Sequence, residues 1–135
     1  MADIQVFFER HGGSPNLKVI VLNARQPVLE DEGVHWHFQA EDPRDLDEVE
    51  IEFEDPKAKY FHTATPPNKF RRALAEGDTI YGRPPEDRKP QDPVPGEGNQ
   101  VRMHGYKDKY WIRGYKAGKV VAFLDPEIVP IRPPS

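Results

Sequence analysis

The stretch Glu48-Val49-Glu50-Ile51-Glu52-Phe53-Glu54 alternates acid and apolar residue without a break. A period of two puts Val49, Ile51 and Phe53 on one side of an extended chain and the carboxylates on the other, which only a half-buried strand accommodates. Gly33 to Phe38 repeats the pattern, with Val34, Trp36 and Phe38 opposed to His35 and His37. Helical periodicity is nearly missing. Further strands are expected over Ile4–Glu9, Leu17–Leu22, Asn99–Met103, Lys109–Tyr115, Val120–Leu124 and Glu127–Ile131, separated by Gly, Pro, Asn and Asp clusters. His11 to Asn16 should close a hairpin between the first two, and Asp42-Pro43-Arg44-Asp45 should connect the histidine strand to the acidic one. Pro130 argues for an edge position of the last strand. The expected fold is an all-β, antiparallel β-sandwich of about seven to eight strands in one domain, residues 1–132, with a frayed tail at 133–135.

Fifteen prolines in 135 residues shape the middle of the chain. Residues 56–98 read as one long Pro-rich loop, partly disordered over about 83–98, because a central strand needs the ladder N–H that proline lacks. One short helix fits Pro67 to about Glu76, where Phe70 and Leu74 share a helical face and Gly77 supplies a stop.

The strand series Gly33–Phe38 and Val49–Phe53 followed by a long loop, with the terminal run from Tyr110-Trp111-Ile112 to Leu124–Val129, resembles cupredoxin-like or immunoglobulin-like sandwiches among small bacterial proteins. The resemblance implies a fold only. With no cysteine in the chain, a blue-copper centre, disulfides, thiolate metal sites and cysteine nucleophiles are all excluded. The first residues show no basic region leading into an apolar run, and no stretch reaches the roughly 18–20 apolar residues that cross a bilayer. A cytoplasmic protein without a membrane partner is expected.

His35-x-His37 has metal-ligand spacing, since side chains two apart on a strand leave one face about 6.5 Å apart. With Glu41 it resembles the first metal motif of cupins, which implies a small metal-dependent enzyme using His35, His37 and Glu41. The chain departs from that pattern: Leu29 stands where the motif has glycine, and the second cupin motif is missing. The plainer reading leaves His35 and His37 on the outer face of a strand, with no cofactor. Neither phosphate-binding fingerprint nor a calcium loop is present, and serine is too scarce for a triad.

The net charge of −4 is unevenly spread. Between Glu30 and Asp55, twelve acids face one strong base, Arg44, while Arg102 to Lys119 carries six bases against Asp108. A charge dipole is the expectation, with a solvated carboxylate face on the acidic strand. In the basic segment Trp111, Arg113 and Tyr115 share one strand face, and Trp, Tyr and Arg dominate binding hot spots. Interleaved cations and rings also suit single-stranded nucleic acid, but the overall acidity opposes it. The leading functional reading is a non-enzymatic protein-interaction or accessory module using Trp111, Arg113, Tyr115, Glu50 and Glu52 toward an unidentified protein or a second copy of the chain. The cupin-like enzyme and a carbohydrate or peptide binder are the alternatives.

Overall fold

The computed structural model describes residues 2–22, 25–29, 32–85 and 108–131. Its strands are β1 (Ala2–Arg10), β2 (Leu17–Val21), β3 (Arg25–Leu29), β4 (Val34–Ala40), β5 (Glu48–Phe53), β6 (Lys69–Ala73), β7 (Thr79–Gly82), β8 (Asp108–Lys116), β9 (Lys119–Leu124) and β10 (Glu127–Ile131). They form an all-β sandwich. The smaller sheet runs β2-β1-β4-β7, and the larger runs β3-β10-β8-β5-β6, with β9 paired to β8. No helix among the described residues is long and apolar enough to cross a membrane.

Alternation builds the core. Ile4, Val6 and Phe8 of β1, with Val34, Trp36 and Phe38 of β4, turn inward from the smaller sheet; Val49, Ile51, Phe53, Tyr110 and Ile112 meet them from the larger. The Trp36 indole donates to the Tyr110 hydroxyl across the sandwich at 3.1 Å. That bond gives two buried polar atoms a partner, without which each would be costly. Burial also pushes the Tyr110 phenol well above its ordinary range.

The expected hairpin of the first two strands forms, with Phe7 opposite Ile20. A second hairpin joins β8 to β9 through Ala117 and Gly118, at φ 50° and 77°. Two successive positive φ values are what a two-residue type I′ turn requires, and glycine supplies one without strain. Most pairings are antiparallel, but β1 lies parallel to β4 and β3 parallel to β10.

Three expectations are corrected. The short helix at 67–76 is instead strand β6 followed by a 3-10 turn at Leu74–Glu76. Phe70 lies opposite Ile51 while Lys69 and Arg71 lie opposite Glu52 and Glu50, so the edge of β5 and its charges override a local helical pattern. The supposed loop over 56–98 therefore contains both β6 and β7; the part expected to be disordered lies, from residue 86 onward, outside the described residues, as do the Asn99–Met103 strand and the 133–135 tail. The Asp42–Asp45 connection joins β4 to β5 as expected, and the two strands belong to different sheets. It carries the chain across the sandwich, and the Arg10 guanidinium clamps it by donating to Asp45 at 2.7 Å and Asp42 at 2.8 Å. The edge position expected from Pro130 fails as well, since β10 lies between β3 and β8; among the described residues it meets β8 through Glu127 and Ile128.

Candidate functional site

The outer face of the larger sheet brings together every residue expected to meet a partner. In register, Glu50 lies opposite Arg113, Glu52 opposite Trp111 and Glu48 opposite Tyr115. The acidic strand and the basic aromatic strand are thus adjacent, and the expected charge dipole is folded into local pairs. Arg113 Nη1 donates to Glu50 Oε1 at 2.9 Å and to Glu52 Oε1 at 2.7 Å. The Tyr115 hydroxyl donates to the same Glu50 oxygen at 2.9 Å. From the other side, Arg71 makes two bonds to Glu48 and lies with its guanidinium carbon 3.7 Å from the centre of the Tyr115 ring.

The expectation of a solvated carboxylate face fails at Glu50, which is only 1% exposed. Arg71, Arg113, Tyr115 and Lys69 surround it, and long side chains standing on a sheet bury a short one between them. Its second oxygen, Oε2, has no hydrogen-bond partner among the described residues and faces the Lys69 ammonium at 3.6 Å. A buried carboxylate held this way depends on its cations, because an unpaired buried charge is strongly unfavourable. Desolvation, followed by the bond to Glu50, raises the pKa of Tyr115.

Beside this closed network the edge of the sheet is apolar. Phe123 of β9 pairs with Arg113, and Val120 with Tyr115 after a bulge in the ladder. Both side chains therefore share the outer face, where Phe123 is 53% and Val120 49% exposed. Trp111, half-buried, stands on the diagonal from Phe123, with the Arg113 guanidinium 5.2 Å from its ring centre. The sequence offered no means of singling out Phe123, Val120, Lys69 or Arg71. A strand's neighbours decide which of its outward residues are covered, and those neighbours come from distant parts of the chain.

On the smaller sheet, His35 and His37 do point outward from β4, half-buried. Glu41 does not join them: its carboxylate accepts from the backbone N–H of Arg10 at 2.9 Å. The third group is Asp3. Parallel pairing sets Asp3 opposite His35 and Gln5 opposite His37, and Asp3 Oδ1 lies 2.7 Å from His37 Nε2 and 3.9 Å from His35 Nδ1. The bond to His37 lowers the Asp3 carboxyl below its ordinary range. His62 is exposed elsewhere, and His104 lies outside the described residues. Asp3 escaped sequence reasoning because a parallel register between strands some thirty residues apart leaves no local pattern.

A concavity lies between the first hairpin and the crossover, lined by Arg10, Ser14, Arg44, Asp45 and Lys116, with a volume of about 380 Å³. Its two guanidinium groups are already held by Asp42 and Asp45, so it presents little free positive charge to an anion. The sequence matches no protein-family model and no curated protein.

Proposed function

We propose that the protein is a non-enzymatic interaction module that takes a protein partner on the outer face of its larger sheet. The observation that carries this reading is the exposure of Phe123 and Val120 together, beside a charge network that already neutralises itself. Singly exposed apolar residues are ordinary on any surface. Here two of them share one short strand and adjoin a tryptophan and an arginine, the composition that concentrates binding energy. Among the described residues the other large exposed apolar side chains, Leu22 and Tyr81, sit at opposite edges of the smaller sheet with Gln5 and His37 between them, and form no such patch.

In this reading Phe123, Val120 and Trp111 make the contact, while Glu52 and Lys69 at the rim steer the partner and select its orientation. Arg113, Tyr115 and Glu50 hold the platform rigid from below. The assignment revises the weight of the sequence-derived set: all five of its members belong to the face, but Glu50, Arg113 and Tyr115 support it, leaving Trp111 to touch a partner and Glu52 to steer it. A cysteine-free sandwich of cupredoxin-like or immunoglobulin-like type working in the cytoplasm fits the same proposal.

The test is a photo-cross-linking side chain placed at position 123, with the equally exposed Tyr81 position as control, in a lysate of the source organism. The expected result is a discrete protein adduct from position 123 that Trp111→Ala removes. An adduct of twice the chain's own mass would identify the partner as a second copy. Equal labelling from both positions, or none from position 123, would overturn the proposal.

A further inference from the structure

Asp3, His35 and His37 each offer one ligand atom, and these three atoms all lie within 4.8 Å of one another. Around a zinc ion with bonds of roughly 2.0–2.2 Å, neighbouring ligand atoms stand about 3–3.5 Å apart. The two contacts of Asp3, at 2.7 and 3.9 Å, bracket that spacing.

The surroundings hold both rings in place. Thr79 Oγ1 lies 3.4 Å from His37 Nδ1, the ring nitrogen turned away from Asp3. An outer partner on the far nitrogen is the usual device that fixes the tautomer of a metal-binding imidazole. His35 packs against Tyr81, with ring centres 4.9 Å apart. Tyr81 in turn fills the space over Gly33, where a Cβ would collide with its Cε2 atom. Glycine at position 33 thus leaves room for the tyrosine ring beside the histidine, the two planes tilted by 53°.

We propose that Asp3, His35 and His37 form a binding site for a divalent transition-metal ion of the zinc class on the outer face of the smaller sheet. Two imidazoles and one carboxylate suit zinc and its neighbours, whereas magnesium and calcium prefer all-oxygen shells. Three side-chain ligands leave a fourth position open to water or to a donor group from another molecule. The site is independent of the partner-binding face, since none of its residues belongs to the larger sheet.

The experiment is calorimetric titration of the 135-residue chain with Zn²⁺. The expected result is one ion bound per chain. Asp3→Ala should weaken it beyond the roughly 10–100-fold typical of outer-shell changes, His35→Ala/His37→Ala should abolish it, and His62→Ala should leave it unchanged. Histidine side-chain NMR of the unaltered protein supplies a readout that needs no variant: Zn²⁺ should shift the His35 and His37 rings before those of His11 and His62. Absence of saturable one-to-one binding, binding that survives the double substitution, or equal shifts at all histidines would overturn the proposal.

Discussion

The outward faces of β4 and β5 begin from the same sequence device and end in opposite conditions. Each strand alternates apolar and polar residues, and each turns its apolar set into the core. On β4 the outward residues His35 and His37 stay half-exposed, with one neighbouring carboxylate between them. On β5 the outward residue Glu50 is as buried as the core beneath it, because β6 and β8 raise Lys69, Arg71, Arg113 and Tyr115 around it. Alternation decides which way a side chain points; the strands on either side decide whether it meets water. The practical consequence is that β4 has one structural face, and β5 has two.

The largest expected effect lies within β4 itself. Trp36→Ala should cost about 3–5 kcal/mol, since it empties the centre of the aromatic cluster and leaves the Tyr110 hydroxyl without its donor. His35→Ala and His37→Ala, on the opposite face of the same strand, should each stay within about 0.5 kcal/mol. Urea unfolding measures both, and a large loss from either histidine would break the contrast.

Gly33→Ala tests how open the histidine face is. The new methyl group meets Tyr81, so a loss of about 1–3 kcal/mol is expected, in the range of overpacking. A neutral result would mean that Tyr81 swings away easily and does not fix His35.

Alkaline titration separates the two faces by pH. The folded pKa of Tyr115 is raised, so its stabilising contribution is complete below the unfolded phenol value of about 10 and is lost as pH rises through the folded one. Stability should therefore fall above about pH 10, and Tyr115→Phe should make that fall shallower. An unchanged slope would show that the phenol is not held by burial and by Glu50.

The smallest effect on stability is expected at Phe123→Ser, within about 0.5 kcal/mol, although the proposed partner contact should be lost. A marked destabilisation would make Phe123 part of the core and remove the basis for the interface.

How far the sequence could be read follows from the same distinction. β1, β2, β4, β5, β8, β9 and β10 each carry their own alternation or turn signals, and were legible locally. β3 was not, because Pro27 interrupts it, and its pairing with β10 is parallel and distant. β6 was misread because Phe70 and Leu74 are spaced as on a helix, and only the acids of β5 explain why Lys69 and Arg71 lie in a strand. The direction of His35, His37, Trp111, Arg113 and Tyr115 was legible in the same way. The identity of their neighbours was not: Asp3 replaced Glu41 beside the histidines, and Arg113 closed over Glu50 and Glu52 instead of presenting an opposite charge to a partner. Register between remote strands carries that information, and no short window of sequence contains it.

The central claim is that acidic β5 and basic β8 satisfy each other around a buried Glu50, leaving partner contact to the apolar residues of β9. A double-mutant cycle by urea unfolding tests it most directly, comparing Arg113→Ala, Glu50→Leu and the two combined. Arg113→Ala alone should cost about 3–5 kcal/mol by stranding a buried charge, and adding Glu50→Leu should recover most of that loss. If Arg113→Ala is neutral, or the second substitution recovers nothing, Glu50 is not held as a buried ion and the account of this face is wrong.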